Sequence, residues 1–229
     1  MIHKLVLTIF LCFASALGAW AQDDNSQIES LPLHVSPSSG KKPVLFYFTG
    51  DGGWNDFSQK LVAELSANGY GVIALDTRKY FWEAKTPDGF ARQMQAVWQY
   101  YQKKWNISEF AIVGYSFGAD VAAFLPGRMN ESIGKLLKSI VLLSPGLSTD
   151  FEVKLSNMVG FNSHGKYQVD AEVQKLNFPV LCVFGKEEEI GYQFGVKESS
   201  LIRRREIPGS HRYNNDMQLL AKVILGTLR

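Results

Sequence analysis

The sequence predicts an α/β fold: one mostly parallel, doubly wound sheet with helices on both faces. Three observations carry the prediction. Short, continuous apolar runs recur along the chain (Val44 to Phe48, Phe110 to Val113, Val180 to Phe184), as the buried strands of a parallel sheet require. Segments of helical spacing alternate with them, and strand–helix alternation argues for parallel pairing through crossovers. The third observation is the junction Phe110 to Asp120. There an apolar strand runs into Gly114-Tyr115-Ser116-Phe117-Gly118, and a helical pattern begins at once. A sharp strand–turn–helix of this kind exposes a serine hydroxyl above the sheet edge.

Composition sets the bounds. The chain has 229 residues, 46% of them hydrophobic, with a formal net charge of +2. That suits a globular domain and gives no basic stripe of the kind that binds nucleic acid. Arg203-Arg204-Arg205 is the densest basic run and reads as an exposed strand edge. Residues 1–21 carry one charged group, Lys4, then an apolar core and an Ala-x-Ala end. This is the pattern of a secretory signal peptide cleaved after Ala21, leaving residues 22–229 as a single domain. Cys12 leaves with it, so Cys182 stands alone, in a strand, as a buried thiol with no intrachain disulfide. His34, His164 and His211 lie far apart in sequence. No metal-ligand spacing is present, and no cofactor is expected.

The elements follow in order. Leu31 to Val35 alternates, and Pro32 places it at a sheet edge, with His34 facing solvent. Val44 to Phe48 is the first buried strand, followed by Thr49-Gly50-Asp51-Gly52-Gly53-Trp54 and a helix from Phe57 to Leu65. Tyr70 to Leu75 is a strand ending at Asp76. Residues 77–86 read as a loop. From Pro87 to about Lys104, Met94, Val97, Trp98 and Tyr101 share a helical face. After the serine junction come a strand from Leu137 to Leu143 and an ambiguous stretch, Phe151 to Leu155, strand or excursion. Asp170 to Leu176 is a short helix. Val180 to Phe184 is a strand leading into Gly185-Lys186-Glu187-Glu188-Glu189. A last strand, Leu201 to Ile207, precedes Pro208-Gly209-Ser210-His211, and Met217 to Leu228 is a closing helix.

In such sheets ligands bind at the carboxyl ends of the strands. Ser116, an acid and His211 fall there in the order of an α/β-hydrolase. The chemistry needs each member. A serine hydroxyl is a poor nucleophile until a base removes its proton, imidazole can take that proton and return it, and a carboxylate behind the imidazole fixes its tautomer. The Gly185-x-x-acid spacing favours Glu188, with Glu187 and Glu189 as alternatives and Asp150 as an outside one. The Phe117 N–H and the Asp51 N–H (Gly52 alternatively) are the oxyanion donors expected from the elbow and from the loop after the first buried strand. The Asp51 carboxylate, Trp54 and Tyr115 are candidate substrate contacts. Asp51 could equally cap the next helix, and Trp54 and Tyr80-Phe81-Trp82 could equally pack helix on sheet. Asp120, in the first turn after the elbow, reads as structural.

These residues resemble the VirJ/AcvB virulence-protein family. The resemblance rests on Gly50-Asp51-Gly52-Gly53-Trp54, Tyr80-Phe81-Trp82 with Thr86-Pro87, and Gly114-Tyr115-Ser116-Phe117-Gly118-Ala119-Asp120. Leu125-Pro126, Leu142-Leu143-Ser144-Pro145, Gly185-x-x-Glu188 and Pro208-Gly209-x-His211 also fit, so nearly all of residues 22–229 is covered. It implies a periplasmic α/β-hydrolase that cleaves the aminoacyl ester of lysyl-phosphatidylglycerol, with peripheral membrane contact and, in some members, a link to type IV secretion. Arg212 stands where many members carry a second histidine, and a further cysteine after the acidic run is absent here. The rival readings are a general periplasmic carboxylesterase and a non-catalytic interaction protein that lends a surface to a secretion complex.

Overall fold

The computed structural model describes residues 26–38, 41–153 and 165–228. The chain forms two compact units, residues 1–31 and 32–229. In the first, residues 26–29 are helical. The signal-peptide segment, residues 1–21, lies outside the described residues.

The second unit is built on a seven-stranded sheet. Its strands, in chain order, are β1 (Leu33–Ser36), β2 (Val44–Phe48), β3 (Val72–Leu75), β4 (Phe110–Tyr115), β5 (Leu137–Leu143), β8 (Val180–Gly185) and β9 (Ile202–Ile207). A separate two-stranded ribbon pairs β6 (Ser148–Thr149) with β7 (Tyr167–Gln168). The spatial order in the large sheet is β1-β3-β2-β4-β5-β8-β9. All neighbours are parallel except the β1–β3 edge pair. The order reverses beside β2 and β4, and that reversal opens a crevice at their carboxyl ends.

The central strands are buried on both faces, as their unbroken apolar runs require. Every residue of β2 and β4 is buried. Period-two alternation sends Leu45 and Tyr47 of β2 to one face and Phe46 and Phe48 to the other. The first face is covered by α1 (Asp56–Ala67), through Phe57, Leu61 and Leu65, and by α8 (Met217–Leu225), through Leu220 and Ile224. On the opposite face α3 (Pro87–Trp105) sets Trp98 against Phe46 and Phe110, and Phe90 against Phe48. Local signals start and stop these helices. Asn55 caps α1 by accepting from Ser58 N, Thr86 caps α3 by accepting from Gly89 N, and Pro87 occupies the first turn of α3. Asn106 ends α3 in the left-handed region at φ 50°.

Several expectations need amending. The loop after Asp76 opens with a single helical turn, α2 (Thr77–Tyr80), which Asp76 caps. Phe151 to Val153 is not a strand, and Lys154 and Leu155 lie outside the described residues. Phe151 instead takes φ 57°. Its ring is buried against Phe81, Phe124 and Tyr167 at centroid distances of 5.8, 5.2 and 5.3 Å. The remaining short helices are α4 (Phe117–Ala122), α5 (Glu131–Gly134), α6 (Val169–Val173) and α7 (Glu189–Gln193).

Candidate active site

β4 delivers Ser116 to the crevice. The residue stands at φ 53°, ψ −125°, a conformation that L-residues adopt only when the surroundings impose it. Here they do. Ser116 N donates to Leu143 O of β5 at 2.8 Å, and Ser116 O accepts from Ala119 N at 2.7 Å and Asp120 N at 3.1 Å. A Cβ on Gly114 would lie 2.5 Å from Ala119 Cα, and one on Gly118 would collide with the carbonyls of Phe48 and Thr49. Both glycines of the motif are therefore demanded by the close crossing of strand and helix.

His211 arrives on the loop after β9. Its Nε2 lies 2.9 Å from Ser116 Oγ, and its Nδ1 lies 2.6 Å from Glu188 Oε1. A carboxylate only accepts, so Nδ1 carries the proton and Nε2 is left to accept from the serine hydroxyl. The three residues thus form one directed chain of hydrogen bonds.

Local backbone explains why Glu188 holds the acid position. Glu188 N donates to Gly185 O at 3.0 Å, closing a turn, and the carboxylate folds back to accept from Gly185 N at 2.6 Å. Glu188 is buried, whereas Glu187 and Glu189 are exposed. Asp150 accepts from Lys166 N, away from this chain of bonds. Two further residues, which the sequence did not single out, complete the setting. Ser144 Oγ donates to Glu188 Oε2 at 2.7 Å, and the Tyr213 hydroxyl meets Ser144 Oγ. The Tyr213 hydroxyl also donates to Val183 O at 3.0 Å, a carbonyl that accepts from Ser144 N as well. Tyr213 and Ser144 thereby tie the end of β8 to Glu188. Burial works to raise the Glu188 pKa. The hydrogen bonds from His211, Ser144 and Gly185 N outweigh it, and the carboxyl is held below its ordinary range. Ser144 carried two sequence signals, its place at the carboxyl end of β5 and its part in Leu142-Leu143-Ser144-Pro145, and neither gave it a role beside Glu188.

The two proposed oxyanion donors sit on segments that touch. A Cβ at Gly50 would be 3.5 Å from Ser116 Cβ. The Thr77 hydroxyl is 2.8 Å from each of the Thr49 and Gly50 carbonyls and pins that loop. The Phe117 and Asp51 N–H groups donate to no other group among the described residues. Beneath them Asp120 is buried, and its Oδ1 accepts from Gly146 N at 2.6 Å. Burial pushes its carboxyl up to about 8, with the Asp51 charge adding to the rise and the Gly146 bond opposing it.

Tyr115 is not in the open crevice, which corrects its place among the substrate contacts. The strand alternation that exposes Ser116 turns Tyr115 into the core. Its ring stacks on Phe57 at 4.3 Å, and its hydroxyl donates to His211 O at 3.2 Å. It supports the histidine loop from behind. Trp54 faces His34 with the rings stacked at 4.1 Å, so His34 is half-buried and not turned to open solvent. Of the three aromatics at 80–82, Tyr80 and Phe81 are buried and Trp82 is 55% exposed.

The sheet order, the strained serine at the end of β4 and the serine–histidine–carboxylate chain define an α/β-hydrolase. The family model described as bacterial virulence protein (VirJ) matches residues 43–229, and the chain belongs to that family. No curated protein matches the sequence. Among solved structures it is similar to Est1E from Butyrivibrio proteoclasticus bound to ferulic acid. The identity is 17%, 85% of this chain and 92% of that chain are covered, and the TM-score is 0.60. It is similar also to VinJ (13% identity, 86% and 93% covered, TM-score 0.61). A third is an alpha-beta serine hydrolase homologue from Coxiella burnetii (15% identity, 86% and 91% covered, TM-score 0.57).

Proposed function

We propose that this protein is a secreted serine hydrolase that cleaves the aminoacyl ester of lysyl-phosphatidylglycerol in the periplasm. The observation that carries the hydrolase reading is the unbroken chain from Ser116 Oγ to His211 at 2.9 Å and on to Glu188 at 2.6 Å. Ser116 Oγ attacks the ester carbonyl while its proton passes to His211 Nε2. The negative charge on the carbonyl oxygen is received by the Phe117 and Asp51 N–H groups. As the C–O bond breaks, His211 returns the proton to the leaving alcohol. Water then enters, loses a proton to His211 and releases the amino acid from Ser116. Glu188 stabilises the imidazolium in both halves.

The choice of a lysyl ester is our reading of the family resemblance, and the Asp51 carboxylate beside its own N–H donor supports it. Asp51 makes no ion pair among the described residues, and a lysyl ammonium would supply one. Secretion rests on residues 1–21. The test combines labelling by a fluorophosphonate probe with release of lysine from lysyl-phosphatidylglycerol. Both are expected with the parent protein and lost in Ser116→Ala, and labelling retained in that variant would sink the assignment. For Asp51→Asn, kcat/KM on a lysyl ester is expected to fall about ten- to a hundred-fold relative to an uncharged ester. An equal loss on both substrates would assign Asp51 to loop structure.

A further inference from the structure

A second cleft, about 550 Å³, opens between the loops that follow β2 and β3. Its lining combines His34, Trp54, Arg78, Lys79, Trp82 and the Gly52-Gly53 turn, with Asp76 at the base. Both walls lead back to the nucleophile. The loop that carries Gly52 and Trp54 also carries Gly50, which lies against Ser116. The segment that carries Arg78 and Trp82 also carries Phe81, whose ring meets that of Phe117 at 5.3 Å.

The charges in the cleft do not cancel. Asp76 is committed to its own turn: Oδ1 accepts from Lys79 N at 3.2 Å, and Oδ2 lies 3.7 Å from Lys79 Nζ. Burial holds the His34 imidazole below its ordinary pKa, so it enters neutral. Arg78 makes no hydrogen bond or ion pair among the described residues. With Lys79 offset by Asp76, the lining carries one uncompensated positive charge, on a guanidinium whose fork suits a phosphate or a carboxylate. The same lining carries apolar surfaces, the stacked His34–Trp54 pair and the exposed Trp82. Gly53 keeps the centre open. It stands at φ 67°, and a Cβ there would lie 2.6 Å from Asp76 Oδ1 and 3.0 Å from Arg78 Cβ.

We infer that this cleft binds a singly charged phosphodiester, with the phosphate on Arg78 and the carbon chains on its two sides against Trp82 and the His34–Trp54 pair. A monoanion matches the single unbalanced charge, and a group bonded to carbon at both ends uses both aromatic walls. The inference rests on the ester-hydrolase reading only in making the phosphodiester part of the substrate, so that the cleft holds the leaving alcohol while Ser116 acts on the ester.

The test uses tryptophan fluorescence of the Ser116→Ala protein, which binds without turnover. The probes are glycerophosphoglycerol, inorganic phosphate, and vesicles of phosphatidylglycerol or of phosphatidylcholine. Glycerophosphoglycerol and phosphatidylglycerol vesicles are expected to bind. Adding Arg78→Gln should weaken both at least tenfold, and Arg78→Lys, which keeps the charge but not the fork, should restore only part of the loss, with melting temperatures confirming that each variant is folded. Binding of phosphatidylglycerol vesicles alone supports the inference and assigns the phosphodiester to a lipid headgroup. Equal affinity with and without Arg78 for the diester or for either vesicle, or inorganic phosphate bound as tightly as the diester, would each overturn it. Arg78-dependent binding without fluorophosphonate labelling of the parent protein would remove the hydrolase reading and leave the cleft. Labelling without that binding would do the reverse.

Discussion

Three consecutive glutamates separate by environment. Glu188 is enclosed by three donors while its neighbours point to solvent. Glu188→Gln is expected to lower turnover by about 10⁴, the loss seen when a triad carboxylate becomes an amide. Glu187→Gln and Glu189→Gln should change it little, and a steady-state comparison of the three decides the assignment. Asp120 makes a different prediction. Its pKa rises from the ordinary 3.8 to about 8 on folding, so between those values the folded state holds more protons than the unfolded state. Stability therefore falls as pH rises through that window. Asp120→Asn can still accept from Gly146 N but does not titrate. Its melting temperature relative to the parent should climb from pH 5 to pH 8, and a constant difference across that range would refute the buried, protonated acid. The Gly-x-x-acid spacing pointed to Glu188 because the closing turn puts the fourth side chain over the first N–H. Nothing comparable pointed to the place of Tyr115 behind the histidine loop, where its partner is a backbone carbonyl 96 residues away.

At the scale of elements, the histidine is held by an unusual turn. Gly209 has φ 100°, and Tyr213, Asn214 and Asn215 follow at φ 51°, 54° and 55°. Asparagine tolerates this region, but a bulky aromatic does so only under constraint. The constraint is the burial of the Tyr213 ring and its hydroxyl contact with Ser144. Tyr213→Phe keeps the ring and loses that contact, so stability should drop by about 1–3 kcal/mol in denaturant unfolding. Ser144→Ala removes a donor from Glu188. A depressed carboxyl pKa stabilises the folded state above its unfolded value and is lost as pH falls through its folded one. With one donor fewer the folded pKa rises, so acid unfolding should begin at a higher pH than in the parent. A melting series from pH 3 to 6 would show it. The left-handed turn and the two-residue ribbon β6–β7 left no mark in the sequence pattern, because both are fixed by distant contacts and not by local propensity. The long strands and α3 were legible for the opposite reason, since unbroken apolar runs, capping residues and helical spacing act locally.

Across the whole second unit, the sheet separates two kinds of packing. The α1–α8 face is mainly aliphatic around Tyr47, Phe57 and Tyr115, whereas near the elbow the other face gathers Phe81, Phe90, Phe117, Phe124 and Phe151 edge to face. Phe81 touches three of these rings, among them that of Phe117, the residue that follows Ser116. Phe81→Ala should cost about 3–5 kcal/mol of stability. It should also lower kcat more than it raises KM, because Phe117 would lose the ring that seats its N–H. The crossing at Gly118 extends the same logic to the molecule's future. Since the elbow helix rests directly on the carbonyls of Phe48 and Thr49, that crossing of helix over strand end is set by backbone contact, with no side chain between the two at Gly118. Descendants of this chain can reshape the outer cleft residue by residue, but they cannot widen this crossing without moving a central strand.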